Sequence, residues 1–365
     1  MIPPATTLLP TVSPEPVAAE EPAAPAPPPR PRATRFVIAL AVMLALIAGA
    51  GAVQLARGEP NVSLGFALSV LLDEGAGTDA AFVIRELRVP RIVLAVISGA
   101  ALGLAGTLLQ GAFRNPVADP SLLGISQAAS LVVAVSILMP GTLPAGMVPV
   151  LCLAAGFGTG LVLVLLSRTV RDPVRLILIG VVLAMFYSML ISMVLLLAVD
   201  WVDLSAYLRF TAGSLSAADW ADVGGVLPWI AVGIPAALLC GRALNLLQLG
   251  DDLATGLGLR VTSSRFLLLG IAVLLIAPLV SITGPIGFIA LLSPHVARFA
   301  VRSSNAHFVL PASALAGAAA ILLADVAGRL LLFPLEVPVG VWTIAVAGPA
   351  AILLARHRLS SARQS

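Results

Sequence analysis

The sequence predicts an all-α, polytopic membrane protein of about ten transmembrane helices, with both termini cytoplasmic. Three observations carry that prediction. Hydrophobic residues make up 59% of the 365 residues and charged residues only 11%, against about 25% charge in a soluble domain; mean hydropathy is +1.06. The apolar residues gather into runs close to the ~20 residues a helix needs to cross a bilayer. All 21 basic residues are arginine and fall unevenly among the connecting segments, as expected when cationic residues concentrate in cytoplasmic loops.

The chain opens on residues 1–35, where eleven of the first 31 residues are proline. Such a stretch buries too little apolar surface to offset its ordering entropy, so a disordered Pro/Ala-rich cytoplasmic tail is expected. Arg30, Arg32 and Arg35 then precede the first apolar run, 36–56. It reads as an uncleaved helix, because a signal peptide would start nearer the N-terminus with a shorter apolar core. The remaining spans are 91–112, 121–139, 147–167, 176–199, 224–242, 264–282, 285–301, 308–331 and 339–355. The seventh and eighth are short and are punctuated by Pro278, Gly284, Pro285 and Gly287. Ten crossings put fifteen of the 21 arginines on the cytoplasmic side and leave Arg57, Arg85, Arg88, Arg91, Arg209 and Arg329 outside. Residues 36–358 form one membrane domain, followed by a short polar tail, 359–365.

Several function classes are excluded or disfavoured. With no lysine, the chain cannot hydrolyse ATP through a P-loop, whose lysine contacts the β/γ-phosphates. Cys152 and Cys240 lie inside apolar runs and read as small packing residues. Net charge is +3 with no basic run interleaved with aromatics, so no nucleic-acid partner is expected. Among acidic residues only Asp325 falls well within a span, and Arg329, four residues on, shares its helix face and is expected to pair with it. No chain of Asp, Glu or His crosses the membrane, which weakens an ion-coupled carrier without removing it. His295 has no Cys, Asp or Glu neighbour in sequence, so no metal site is expected. An intramembrane enzyme would need a nucleophile–base pair, and His307 and His357 fall at membrane edges. Gly99, Gly103 and Gly106, with Ser98 and Ala105, give the second span a small-residue face for close helix packing.

One polar segment stands apart. Residues 244–261 are amphipathic and lie on the cytoplasmic side by the arginine distribution. Gly250 is suited to end one short helix, and Asp251 or Asp252 to cap the next. Two short helices lying across the cytoplasmic surface make either a docking shape or a capped surface loop.

Residues 244–258, LNLLQLGDDLATGLG, resemble the ATPase-coupling loop of the iron-siderophore and cobalamin importer permeases, the FecCD-type family of ATP-binding-cassette (ABC) transporters. Further stretches agree in the same order: Arg88-Val-Pro-Arg91 followed by SGAALGLAG and Gln110; Asn115 to Gly124, NPVADPSLLG; Arg175 to Gly180, RLILIG; Gly213-Ser-Leu215 followed by Trp220. Then come Gly284 to Ile289, GPIGFI; Ser293 to Arg298, SPHVAR; Leu310-Pro311; Ala324-Asp325; and Pro338-Val-Gly340. The resemblance spans roughly residues 36 to 358. Departures are Ser303-Ser-Asn305 where the family often has Gly-Asp-His, Ala290 where glycine is usual, Gly348 to Ile352 without the aromatic common near the last helix, and a longer spacing from Tyr207 to Gly213.

The resemblance implies a permease subunit in the cell membrane that carries no cofactor itself, with ATP bound by partner ATPase subunits. Other implied partners are an extracytoplasmic substrate-binding protein, a second permease copy or paralogue, and membrane lipid. Leu249, Gly250, Asp251, Asp252, Ala254, Gly256 and Gly258 would couple to the ATPase. Arg88, Arg91 and Arg329 would dock the binding protein through its carboxylates, or else snorkel to lipid phosphates. Gly213, Ser214 and Leu215 would form the outer gate. Arg171, Asp172 and Arg175 would form the inner gate, although the arginines of 168–175 serve equally as cytoplasmic anchors. Ferric siderophore is the expected cargo, ahead of haem and cobalamin, passing through a wide, apolar, electroneutral cavity at a two-fold interface. The rivals are a secondary transporter of a small organic solute or metal chelate, and an uncoupled channel or scaffold.

Overall fold

The computed structural model describes residues 32–72, 77–167, 173–197, 201–333, 335–346 and 348–349. They form helices α1 Arg32–Ala56, α2 Leu64–Leu71, α3 Asp79–Phe82, α4 Val89–Ala112, α5 Ile125–Leu138, α6 Val148–Ser167 and α7 Pro173–Leu197. These are followed by α8 Trp201–Thr211, α9 Trp220–Leu239, α10 Gly241–Gln248, α11 Asp251–Gly256, α12 Val261–Thr283, α13 Ile289–Val301 and α14 Ala306–Leu330. Residues 339–346 are also helical. Among the described residues six helices are long and apolar enough to cross a membrane, and α5, α13 and Val148–Leu163 of α6 are shorter apolar helices. The first nine predicted spans each overlap an observed helix. The tail up to residue 31, residues 347 and 350–355 of the tenth span, and residues 359–365 lie outside the described residues.

Two elements differ from expectation. The second span was expected to begin at residue 91, after the charged Arg85-Glu-Leu-Arg88. Instead one helix runs from Asp79 to Ala112, begun by Thr78, whose hydroxyl accepts from the Ala81 N–H at 3.2 Å. Pro90 would interrupt a regular α-helix. A π turn, Val83–Arg88, lies directly upstream, where a wider ring accommodates the lost hydrogen bond. The seventh span, expected at 264–282 despite Pro278, is a full helix: α12 continues through Pro278 and stops at Gly284, whose φ is +71°. The second difference is α8, which lies in a stretch between the fifth and sixth spans where no helix was expected.

α4 is the axis of the bundle. Its small face lets two neighbours approach to backbone contact. A Cβ at Gly99 would lie 2.3 Å from the Gly317 carbonyl oxygen of α14, one at Gly103 would lie 2.1 Å from that of Ser313, and one at Gly106 would lie 1.8 Å from that of Ala290 at the start of α13. Thr107 uses the same closeness to donate to Ser313 Oγ at 2.7 Å. Cys152 and Cys240 are buried, free thiols, each within reach of a main-chain carbonyl. α7 is the opposite case: Leu178, Val182, Met185, Met189, Met193 and Leu196 are all exposed, recurring every three or four residues along one side of the helix.

At ~1.5 Å per residue, the 24 residues of α4 span ~36 Å. Arg91 and the α10-contacting Gly111 therefore mark opposite ends of the bundle, and each end carries one group of the residues singled out above.

Candidate functional site

At the Gly111 end, α9 gives way to α10 and α11. Leu244 and Leu247 are buried, and Leu244 lies so close to Gly111 that a Cβ there would sit 2.3 Å from its Cδ2. Asn245 accepts from the Ala306 N–H at 2.7 Å and donates to Asn305 Oδ1 at 3.0 Å; Gln248 donates to the Ser304 carbonyl at 3.3 Å. Asn305 in turn caps α14, accepting from the His307 N–H at 3.0 Å. The Ser303-Ser-Asn305 turn is thus the seat of α10. Gly250 separates the two short helices with φ +105°, a conformation that favours glycine. It, rather than either aspartate, occupies the N-cap of α11, with Asp251 and Asp252 in the first turn. Asp251 is turned sideways instead: its Oδ1 lies 2.9 Å from Arg265 and 3.5 Å from Arg114. Arg265 also donates to the Ala112 carbonyl at 2.9 Å. One carboxylate therefore joins α11, the end of α4 and the start of α12.

The other side of α10–α11 is apolar and open. Leu249, Leu253 and Leu257 are 54%, 63% and 58% exposed, and Leu253 and Leu257, one turn apart along α11, share one side of it. Asp252, Gly256 and Gly258 are exposed beside them, and Ala254 is buried. The expected coupling residues thus divide into a clamp, Asp251, and a presented surface.

At the Arg91 end, the expected pair of Asp325 with Arg329 is not the one that forms. Asp325 accepts two parallel bonds from Arg91, at 2.9 and 2.8 Å, and one from Gln54 Nε2 at 2.6 Å. Arg329 instead approaches Glu336, its Nε lying 3.6 Å from Oε1. Close packing of α1 and α4 on α14 decides this, since a two-pronged guanidinium bond from a neighbouring helix is stronger than an i,i+4 pair. Arg91 also donates to Glu336 at 3.1 Å. Arg88 donates to the carbonyls of Leu55 and Pro60, at 2.5 and 2.6 Å. Arg88, Arg91 and Arg329 lie at one end of the bundle, where Arg88 and Arg91 are buried, while Arg57 and Glu336 are exposed beside them. Gly58 packs against them, leaving no room for a Cβ, which would lie 2.4 Å from an Arg329 nitrogen.

The expected outer-gate segment, Gly213-Ser-Leu215, lies at the same end, between α8 and α9. Gly213 has φ +66°, and a Cβ there would lie 2.7 Å from the Pro285 carbonyl oxygen. Ser214 N–H donates to the Thr283 carbonyl at 2.9 Å, and Gly340 N–H donates to the Gly213 carbonyl at 3.0 Å. Leu215 is buried. This brings Gly213-Ser-Leu215, Gly284 to Ile289 and Pro338-Val-Gly340 together, although they are far apart in sequence. Ser214, Arg209, Phe210, Asp222, Trp229 and Thr283 are among the residues around a cavity of about 920 Å³. Of the expected inner gate, Arg175 is exposed in the first turn of α7; Arg171 and Asp172 lie outside the described residues. Among the described residues no group of three or more His, Cys, Asp or Glu side chains is arranged to hold a metal ion, and His295 faces its own helix at the Leu291 carbonyl, 2.8 Å away.

The profile of the FecCD transport family matches residues 39–357. The chain belongs to the FecCD transport family. FecCD relatives include the permease FecD of the Escherichia coli Fe(3+) dicitrate transport system, 38% identical over 80% of this chain and 90% of its own length. The hemin transport permease HmuU of Yersinia pestis is 36% identical over 72% of this chain and 80% of its own length. A solved transporter described as of the metal-chelate ABC type, in an inward-facing conformation, superposes with a TM-score of 0.75 at 26% identity, covering 88% of this chain and 99% of its own. This FecCD chain is accordingly a multi-pass membrane permease.

Gln54, Arg114, Asn245, Arg265 and Glu336 were not singled out by sequence. Each acts through a partner from another element. Glu336 carried one usable signal, as an acidic residue between two recognisable motifs, and the others carried none.

Proposed function

We propose that this FecCD permease imports a ferric chelate, with a ferric siderophore or ferric citrate as cargo, powered by ABC ATPase subunits on separate chains. The observation that carries the reading is the α10–α11 platform: an exposed leucine row anchored through Asp251 to α4 and α12. A partner that pushes on the row moves both helices. In this reading the platform faces the cytoplasm, and the ATPases bind the ATP. The arginine end faces outward, where acidic residues of a substrate-binding protein meet the cluster of Arg57, Arg88, Arg91 and Arg329. The exposed stripe of α7 meets a second permease, identical or paralogous, with the chelate passing between the two. The relatives support this assignment, since those compared carry Fe(3+) dicitrate and hemin by name.

Uptake of radiolabelled ferric citrate and ferric siderophores is measured in cells with and without the gene, before and after ATP depletion. Gene-dependent uptake that disappears on depletion is the expected result. Uptake that persists without ATP but collapses with an uncoupler would replace the proposal with a secondary transporter.

A further inference from the structure

Glu336 behaves unlike Asp325. Asp325 is 1% exposed and is enclosed by Arg91 and Gln54. Glu336 sits between α14 and the helix at 339–346, and its side chain is 46% exposed, yet its carboxylate lies 3.1 Å from Arg91 and 3.6 Å from Arg329. The end therefore holds one carboxylate that is shared by two guanidiniums and open to water. A partner's Glu or Asp would make the same arrangement on the same arginines. Water reaches this carboxylate from its open side, so a docking carboxylate can replace it on the same guanidiniums, whereas the buried Arg91–Asp325 pair holds the Arg91 guanidinium in place.

The second observation is where Glu336 leads. Val337 N–H donates to the Gly328 carbonyl at 3.0 Å, and Gly340 N–H donates to the Gly213 carbonyl at 3.0 Å. Gly340 is pressed against the gate segment, with a Cβ there 2.2 Å from the Ala212 carbonyl oxygen. Four residues thus connect the exchangeable carboxylate to the main-chain bond that holds Gly213.

We propose that Glu336 is an internal placeholder: it occupies Arg91 and Arg329 in the free permease, a carboxylate of the docking substrate-binding protein displaces it, and the released 336–340 segment loosens its hold on Gly213. The inference rests on the docking reading above and deepens it by naming the competing residue and the route to the gate.

The permease is assembled with its ATPase subunits in nanodiscs as wild type, Glu336→Gln, Glu336→Asp and Arg329→Gln. The probe is the substrate-binding protein that supports uptake in the transport assay, loaded with its ferric chelate. Glu336→Gln is expected to bind it at least threefold more tightly, Glu336→Asp within twofold of wild type, and Arg329→Gln about tenfold more weakly. Hydrogen exchange on the same discs without the probe reads the route: the amides of Gly340 and Ser214 are expected to exchange at least threefold faster in Glu336→Gln. If Arg329→Gln binds like wild type, the docking reading falls and the placeholder with it. If Arg329→Gln weakens binding while Glu336→Gln leaves it unchanged or weaker, docking stands and the placeholder is overturned. Unchanged exchange at Gly340 and Ser214 overturns the route to the gate.

Discussion

Asp325 was the one acidic residue placed well inside a predicted span, and its role turns on which arginine it meets. Sequence spacing offered Arg329 on its own helix; the structure gives it Arg91 from α4, with Gln54 from α1 as a third partner. Spacing describes neighbours on one helix and is silent about neighbours on another. Removing one partner of a buried ion pair leaves the other charge uncompensated, at about 3–5 kcal/mol. Asp325→Ala is therefore expected to lower the thermal unfolding midpoint of the detergent-solubilised protein by several degrees, and Asp325→Asn by less, because the amide oxygen still accepts from Arg91. Equal midpoints for Asp325→Ala and wild type would remove Asp325 from the structural account.

At the scale of elements, the small-residue face of α4 was legible because glycine, serine and alanine recur at helical spacing. Which helices it meets was not, since α14 and α13 offer complementary backbone only once the chain is folded. Gly103→Ala should destabilise the bundle by at least about 1–3 kcal/mol, because a Cβ 2.1 Å from the Ser313 carbonyl oxygen forces α4 and α14 apart. Gly49→Ala is the control. Nothing lies within 4 Å of its Cβ position in α1, and alanine favours helix over glycine, so its midpoint should stay level or rise. Equal losses in both variants would show that helix propensity, and not close approach, governs α4. α8 and the early start at Asp79 escaped sequence reading for a related reason. Charged and proline-containing stretches read as loops, and tertiary packing outweighs that local preference.

At the scale of the whole molecule, the two ends are joined by the same helices. α4 runs from the Arg91 network to the Gly111 contact with α10, and α12 runs from the Asp251–Arg265 pair to the Thr283 carbonyl that holds Ser214. Leu253 is presented outward on the platform without supporting the core. Leu253→Glu is therefore expected to leave expression and thermal stability unchanged while reducing ATP-dependent uptake at least tenfold and weakening co-purification of the ATPase subunits. Full uptake in this variant would show that the leucine row is not the coupling surface. Composition and the length of the apolar runs determined that the chain is a helical, multi-pass membrane protein. The ordered motifs from Arg88 to Gly340 determined its resemblance to the FecCD family, because burial in lipid and tight backbone turns constrain residue type locally. Only the tertiary structure decided that Asp325 belongs to Arg91, that Asp251 clamps α4 and α12, and that Glu336 shares its arginines four residues from the bond that holds Gly213. Those bonds join residues from distant parts of the chain, and their geometry exists only after the helices have packed.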